Sequence, residues 1–308
     1  MDINMTRSTP PPLDNFKRIM RVHDSAILST AVAVSISSPL AVVANGLILA
    51  AIWRNPSLRT PSYILLAGLA LTDLGTGLIS QPLYVTNDLI YLLEPRRSTV
   101  ETSAMVDGSI TFFSHSTVFI MTLMSIERWL HMARRSLINV RRASFIVVCL
   151  FLLPIPVTVY RVVQRLKRAP TPVVDAISSS LVTFLLTISS VAYFKVFRII
   201  RHHQQQIQTT GMSQNFAVQP AINLTKYKKS VFSILYILVV FYMGYIPVAI
   251  SMAISTVLIN EVVVLFTNFS FVFMFLSSSL NPLLYLWRMK DIRNEVKLLA
   301  KRILQKEN

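Results

Sequence analysis

An acid and a base stand side by side in the stretch MSIERWLHM, Met124 to Met132. Glu127 and Arg128 follow 19 residues without a charge, from Gly108 to Ile126. A carboxylate and a guanidinium in contact form a strong, charge-assisted pair. Because the arginine can exchange this partner for another, the pair has the chemistry of a switch.

Three further polar side chains recur at a spacing that brings them to one face of a helix. Asp107, Thr111 and His115 stand at positions i, i+4 and i+8, and residues four apart on a helix lie one above the other. This row could line a ligand pocket. Two plainer interpretations stay open: His115 as a hydrogen-bonded interior histidine, and Asp107 as a solvated acid at a helix end.

The composition predicts that membrane-spanning helices position these residues. Of 308 residues 53% are hydrophobic and 14% charged, against roughly 25% charged in an ordinary soluble domain. The apolar residues form seven runs, each close to the ~20 helical residues that cross a ~30 Å hydrocarbon core. The predicted spans are Ser25–Trp53, Thr60–Asn87, Gly108–Ile126, Ala143–Tyr160, Ala176–Phe194, Ser230–Met252 and Val262–Trp287.

One charge, Asp73, lies inside these spans. A carboxylate at the centre of a bilayer costs ~2.5–3.5 kcal/mol on insertion scales. Asp73 is therefore expected to face polar partners inside the bundle.

The distribution of charge predicts which side each end of the bundle faces. With the N-terminus outside, 20 of the 30 Lys and Arg residues fall on the cytoplasmic side, and nine of the 14 acids fall outside. This agrees with the excess of bases in cytoplasmic loops, and the basic face should attract anionic lipids. The bases ring the membrane exits instead of forming one stripe, which argues against nucleic acid as a partner.

Asn4, in the sequon Asn4-Met5-Thr6, is a glycosylation candidate, and the N-terminus shows no cleavable signal peptide.

A further helix is predicted after the seventh span. Ile292, Val296, Leu299 and Ile303 repeat at helical spacing among lysines and arginines, the pattern of a helix that lies on an anionic membrane surface. The predicted fold is an all-α membrane protein, a seven-transmembrane helix bundle with a short amphipathic eighth helix. The predicted division is an extracellular N-terminal segment at 1–24, a seven-transmembrane domain at 25–287, and a cytoplasmic amphipathic helix and tail at 288–308.

Short motifs lie in order along the spans, and together they resemble those of the rhodopsin-like (class A) G protein-coupled receptors. The third helix of this family ends in an Asp/Glu-Arg-Tyr triplet, which Glu127-Arg128-Trp129 matches in two positions. The other motifs are Asn45-Gly46, LAGLALTDL at Leu66–Leu74, Tyr193, Phe241 with Pro247, and the NPxxY match Asn281–Tyr285. The resemblance covers the whole chain. It implies a plasma-membrane receptor and not an enzyme, with a heterotrimeric G protein and an extracellular ligand of unknown class as partners.

The resemblance also implies roles for individual residues. The implied switch for G protein coupling consists of Glu127, Arg128, Tyr193, Phe241, Pro247, Asn281, Pro282 and Tyr285. The implied pocket for a structural sodium ion consists of Asp73, Asn45, Thr117, Ser277 and Asn281, with a protonated, hydrogen-bonded Asp73 as the alternative. The ligand pocket is placed at Asp107, Ile110, Thr111, His115 and Tyr245, and no other cofactor is implied.

Several positions depart from the family pattern. The chain has one cysteine, Cys149, so the family's disulfide between the third helix and the second outer loop cannot form, and Ser103 stands at its third-helix position. The predicted outer loop, Arg161–Asp175, is short and basic. Tyr245 replaces a tryptophan, and Ile110 replaces the aspartate of amine receptors. Dopamine-like and serotonin-like amines should therefore bind weakly or not at all, and peptides, lipids or other small molecules are better ligand candidates, without a choice among them. The absence of lysine between Ser230 and Trp287 excludes a retinal Schiff base there.

Two other classes of membrane protein fit the sequence less well. A small polytopic transporter is the alternative function, but it would be expected to show paired halves and coupling charges at midplane depth. An intramembrane hydrolase would need a second deep carboxylate or a metal-binding set. The chain shows no internal repeat, and Asp73 is its one deep charge.

Overall fold

The computed structural model describes residues 13–97, 99–133, 138–210, 218–258 and 260–306. Within these ranges all regular secondary structure is helical, and seven helices are long and apolar enough to cross a membrane. The predicted fold class is confirmed. The helices are α1 (Leu13–Arg54), α2 (Pro61–Leu93), α3 (Val100–Met132), α4 (Val140–Leu166), α5 (Pro172–Thr210), α6 (Val218–Ser255), α7 (Glu261–Arg288) and α8 (Lys290–Lys306).

Side-chain caps fix where three of these helices begin. Thr99, Asn139 and Asn260 lie just before α3, α4 and α7, and each accepts a hydrogen bond from a backbone N–H of the first turn. Such caps satisfy donors that have no partner within the helix. A sequence pattern of apolar runs does not register them, which is one reason why the helices extend beyond the predicted spans.

The predicted outer loop Arg161–Asp175 is wrong in its extent. Helix α4 continues to Leu166 and α5 begins at Pro172, so the connection is limited to residues 167–171. Arg161 and Asp175 lie on helices because they neutralise each other across the α4–α5 interface, as described below. At the other end of the chain, α1 already begins at Leu13, inside the segment predicted to precede the first span. The glycosylation candidate Asn4 lies outside the described residues.

Helix α3 is the centre of the bundle. It is the most deeply buried span and packs against α2, α4 and α5, whereas α4 is the least buried. Helix α1 packs against α2 and α7, and α6 lies between α5 and α7. We call the two ends of the bundle the Arg128 end and the Asp107 end, after the α3 residues near each.

A π-helical turn, Thr76–Ser80, interrupts α2 and begins three residues after Asp73. The N–H of Gln81 bonds to the carbonyl of Thr76, five residues back, and Pro82 has no N–H to restore the α-helical pattern. Ser38 of α1 donates to the carbonyl of Gly77 at 2.8 Å, which satisfies one group of the irregular turn. Such turns are frequent at functional sites.

Close contact between α2 and α3 depends on a glycine beside Asp73. A Cβ added to Gly75 would lie 2.1 Å from Cε1 of Phe113, so any larger residue would displace the Phe113 ring from its present position. The side chain of Phe113 therefore packs on the backbone of α2. This contact holds α3 against the stretch of α2 that carries the deep carboxylate.

Candidate functional site

The acid and base of the switch motif lie at the Arg128 end of α3, on a helix that continues to Met132. The carboxylate of Glu127 is buried, and Arg128 Nε lies 3.7 Å from Glu127 Oε2. Ser62, at the start of α2, donates a hydrogen bond of 3.0 Å to the other carboxylate oxygen, Oε1. Glu127 is therefore held by α2 as well as by its neighbour on α3.

The tyrosines of the proposed switch lie in the interior near this end. Tyr193 of α5 is buried beside Ser125 and Arg128. Tyr285 of α7 is fully buried, and within the described residues its hydroxyl has no hydrogen-bond partner. An unpartnered buried hydroxyl carries a free-energy cost. A packing that brings a hydrogen-bond partner to Tyr285 would remove this cost.

Trp129, the departure from the family's tyrosine, has a basic partner on α5. The ammonium of Lys195 lies 4.1 Å from the centre of the Trp129 ring. A cation over an aromatic face is worth ~0.5–1 kcal/mol at an exposed site. This contact joins α3 to α5 at the Arg128 end.

Helix α8 is tied to the Arg128 end through its two acids. Tyr63 of α2 donates to Asp291 Oδ2 at 3.1 Å, and Asn55, which follows α1, donates to Glu295 Oε1 at 2.7 Å. Ile292 and Leu299 are buried, as predicted for the apolar face of an amphipathic helix, and Val296 packs against the core. The side chain of Ile303 lies outside the described residues.

Asp73 lies in a polar cluster at the centre of the bundle. It is fully buried, Asn281 of α7 donates a hydrogen bond of 2.9 Å to its Oδ2, and the Ser278 side chain lies against it. Two residues expected to face Asp73 form hydrogen bonds elsewhere. Thr117 donates to the Thr72 hydroxyl at 2.9 Å, and Ser277 donates to the Met274 carbonyl at 2.7 Å.

Asn45 stabilises the weak point that Pro282 creates in α7. Pro282 cannot donate to the carbonyl of Ser278, four residues earlier, and Asn45 Nδ2 of α1 donates to that carbonyl at 3.1 Å. Asn281 could have served this purpose, but its amide is used on Asp73. The carbonyl that Pro282 leaves without a helical donor therefore depends on an asparagine from a different helix.

The oxygen atoms of the cluster are suitable ligands for a small, hard cation. Asn45 Oδ1, Asp73 Oδ1 and Asn281 Oδ1 are buried, and none has a hydrogen-bond partner within the described part of the chain. All are oxygen acceptors and one belongs to a carboxylate, the kind of ligand set that hard cations take. These residues could hold a sodium ion, with Ser278 as a neighbour in place of Ser277.

A narrow crevice lies next to this cluster. Ile110 and Tyr245, two of the predicted pocket residues, line it, and Tyr245 is in ring contact with Phe241 at 4.5 Å between ring centres. Pro247 follows Tyr245 inside α6. The crevice is lined by Thr76, Ser80, Ile110, Phe113, Ser114, Tyr245, Met274, Phe275 and Ser278.

The remaining predicted pocket residues are elsewhere on α3. His115 Nδ1 lies 2.8 Å from the Thr111 carbonyl, and both side chains are buried. Asp107 forms an ion pair with Arg165 of α4, in which the guanidinium Nε donates to Oδ2. Asp107 is thus neither a free acid nor on the crevice wall, which is a third possibility beside the two left open by the sequence.

A second ion pair, missed by the sequence, lies one turn further into α4. Arg161 Nη2 is 2.7 Å from Asp175 Oδ1 of α5, with side-chain exposures of 7% and 15%, and Thr171 donates to Asp175 Oδ2 at 2.9 Å. Arg161 and Arg165 are four residues apart and therefore on one face of α4. That spacing was the available signal, but it was obscured because both were assigned to a loop.

Seven helices of membrane-spanning length, a buried Glu127 beside Arg128 and a polar cluster around Asp73 are the features that the resemblance implies for a seven-transmembrane receptor. A family model described as 7 transmembrane receptor (rhodopsin family) matches residues 44–285, from the first-helix motif to the last residue of NPLLY. The match covers more than half of the chain, so the chain belongs to the rhodopsin family of seven-transmembrane receptors. No curated protein matched the sequence. The chain is accordingly a multi-pass membrane protein of a receptor family, and the resemblance seen in its motifs is confirmed.

Proposed function

We propose that the protein is a plasma-membrane receptor that binds an extracellular ligand and promotes nucleotide exchange on a heterotrimeric G protein. Its N-terminus and Asp107 end face outwards, and its Arg128 end faces the cytoplasm. The observation that carries the proposal is the contact between Arg128 and the buried Glu127, at one end of the most deeply buried helix.

The mechanism is a shift between two packings of the same helices. Ligand binding favours a packing in which the Arg128 end of α6 moves away from α3, with Pro247 as the hinge because proline removes one helical hydrogen bond. Tyr245 and Phe241, in ring contact, pass movement of the crevice wall to the helix interior. Arg128 leaves Glu127 and enters the vacated space.

The seventh helix supplies the partner for the released arginine. Tyr285 has a buried hydroxyl without a partner, and Tyr193 already lies beside Arg128. Movement of α7 at Pro282 breaks the contacts of Asn281 and brings Tyr285 towards the arginine. The arriving helix of the G protein completes the set of acceptors.

Asp73, Asn45 and Asn281 would hold a sodium ion, whose positive charge would stabilise the packing in which Glu127 and Arg128 are in contact. The unpartnered oxygens of Asp73, Asn45 and Asn281 support this assignment. Asp73 supplies the negative charge and orients Asn281, and Asn45 holds α7 near its proline.

Helix α8 attaches the receptor to the membrane surface, in addition to the seven spans. Its acids are held by Tyr63 and Asn55, which leaves its lysines and arginines to face anionic lipid headgroups. The same contacts couple α8 to the base of α2, where Ser62 binds Glu127.

The test is nucleotide exchange without added ligand, with the purified receptor in lipid nanodiscs and a panel of heterotrimeric G proteins. At least one G protein should exchange faster with the receptor than without it, and Arg128→Ala should abolish that acceleration. Arg97→Ala, at the other end and 79% exposed, should leave it unchanged. Full acceleration by Arg128→Ala would exclude the mechanism, and no acceleration of any G protein, with or without stimulation, would exclude coupling.

A further inference from the structure

Helix α2 carries a second carboxylate near the Asp107 end, outside the predicted spans. Asp88 is half-buried, its Oδ2 is buried, and within the described residues this oxygen has no hydrogen-bond partner. It differs in this from the other partly buried acids of the same end, Asp107 and Asp175, which pair with Arg165 and Arg161. No described base lies within ion-pair distance of Asp88.

The side chains that share a face with Asp88 are hydrogen-bond acceptors or aromatic rings. Gln81, Tyr84 and Asp88 stand at i, i+3 and i+7 on α2, a spacing that places them along one stripe. Gln81 Oε1 and the Tyr84 hydroxyl are also buried and unpartnered among the described residues. Gln81 is oriented by its other amide atom, since Nε2 donates to the Phe275 carbonyl of α7 at 3.2 Å.

Aromatic rings from α7 enclose the middle of this stripe. Tyr84 meets Phe275 edge-to-face at 5.3 Å between ring centres, and Phe271 at 6.4 Å. Thr30 of α1 lies near the Tyr84 hydroxyl and closes the third side. Phe275 also lines the crevice beside Tyr245, so the stripe leads from the Asp107 end of α2 to the crevice wall.

These observations define the chemistry of an occupant. The stripe has one carboxylate, near which the Tyr84 hydroxyl and Asn87 lie, and a buried amide oxygen, Gln81 Oε1, without a partner among the described residues. A carboxylate, an amide oxygen and the π-faces of the neighbouring rings all attract a positive charge. A divalent metal ion is a poor fit because it needs several oxygen ligands around it, and within the described ranges no cluster of three His, Cys, Asp or Glu occurs. An organic ammonium uses both the carboxylate and the rings.

We infer that Asp88, Tyr84 and Phe271 form a binding site for the ammonium group of a ligand, between α1, α2 and α7. The site deepens the proposed receptor function, on which it rests, by giving the chemical class of the ligand. It differs from the amine site that Ile110 rules out, because its carboxylate lies on α2 and not on α3. A ligand held here by its cation extends its remaining groups along the stripe towards the crevice.

The experiment is direct binding to the purified receptor in nanodiscs, without a G protein. The probe is benzyltrimethylammonium, and the control compound is neopentylbenzene, in which an uncharged carbon replaces the nitrogen. The melting temperature of the receptor is measured against the concentration of each compound. The charged probe should raise the melting temperature, by binding the folded state, and the uncharged compound should raise it much less.

The variants test the charge of Asp88 and the ring of Tyr84 separately. Asp88→Asn should raise the half-saturating concentration of the charged probe roughly 10- to 100-fold, because a contact to a charged group is lost. Asp24→Asn, an exposed acid of α1 near the same end, should not change it. Tyr84→Phe keeps the ring and should bind normally, whereas Tyr84→Leu should bind several-fold more weakly, in line with the ~1 kcal/mol of a cation–π contact.

Two results would overturn the site. One is an equal rise in melting temperature with the charged and the uncharged compound. This comparison needs no variant, so it tests the site even if Asp88→Asn does not fold. The other is unchanged binding of the charged probe to folded Asp88→Asn. Because no G protein is present, either result counts against the ammonium site alone, while the exchange assay tests the receptor function separately.

Discussion

The two ends of the bundle use their charges in different ways. At the Asp107 end, Arg161 and Arg165 extend from one face of α4 and pair with Asp175 and Asp107 on two neighbouring helices. At the Arg128 end, the acid and base are neighbours on one helix, their charged atoms are 3.7 Å apart, and a serine from α2 holds the acid. One arrangement fixes helices to each other, and the other leaves a base free to change its partner.

The ion pairs of the Asp107 end lie where the family's disulfide is missing. The resemblance placed that bond between the third helix and the second outer loop, where Ser103 and a single cysteine make it impossible. The Arg165–Asp107 pair joins α3 to the end of α4 one turn from Ser103, and the Arg161–Asp175 pair closes α4 onto α5. Two ion pairs thus join α3, α4 and α5 at the corner of the bundle where the disulfide is missing.

The largest loss of stability is expected when the buried Arg161–Asp175 ion pair at the Asp107 end is disrupted. Asp175→Asn leaves the Arg161 charge buried without a counter-charge, and removing one partner of a buried pair costs ~3 kcal/mol or more. The receptor should melt at a markedly lower temperature in nanodiscs. The matched control is Glu94→Gln, whose partner Arg97 is largely exposed, and which should change the free energy of unfolding by less than ~0.5 kcal/mol.

The second half of this test separates charge pairing from packing. Replacing both partners with uncharged residues, Arg161→Met with Asp175→Asn, removes the unpaired charge and should recover most of the lost stability. If the double variant is as unstable as the single one, the ion pair is not what fixes α4 to α5.

A smaller effect is expected at the centre, between the two ends. If Asp73 is ionised beside sodium, each tenfold rise in sodium above its dissociation constant should stabilise the receptor by about 1.4 kcal/mol. Asp73→Asn should abolish this dependence while potassium at equal ionic strength serves as the control for screening. A melting temperature that does not respond to sodium in the unsubstituted receptor would favour the protonated alternative.

The fold was predictable because the bilayer sets the length of an apolar run, and seven such runs are evident. The ends of the helices were not predictable in this way, because the prediction stopped the spans at the first charge in every case except the end of the sixth, at Met252. Asp107, Arg161 and Asp175 are accommodated on helices only by partners from other helices, and pairing of this kind depends on the packing. The caps at Thr99, Asn139 and Asn260 had a local signal, a capping residue type before the run, that the prediction did not use.

The candidate site was predictable where one motif supplies both its residues and its partner. Glu127 with Arg128 is such a case, and the position of Asn281 beside Asp73 followed from the resemblance. Asn45 on the Ser278 carbonyl could not be derived, because α1 and α7 are far apart in sequence. Asp88 was missed because the second span was ended one residue before it, although its spacing from Gln81 and Tyr84 was visible.

The switchable end should respond to loss of the acid's charge. Glu127→Gln keeps an oxygen for Ser62 but removes the attraction to Arg128, whose closest charged contact is long at 3.7 Å. A bias of ~1 kcal/mol towards the released arginine corresponds to about fivefold more exchange without ligand. Exchange on the G protein chosen from the panel measures this, and an unchanged or lower basal rate would show that Glu127 does not restrain Arg128.

The smallest effect is expected from the serine that holds the acid. Ser62→Ala removes one hydrogen bond to Glu127, and since Ser62 is only partly buried, water can replace it, so the net loss is ~0.5 kcal/mol. Basal exchange should rise about twofold, and Ser57→Ala, an exposed serine of the same end that bonds Asn55, should have no effect. In the Glu127→Gln background there is no charge for Ser62 to orient, so adding Ser62→Ala should change nothing more. If the two substitutions raise basal exchange independently, Ser62 acts on α2 packing and not through Glu127.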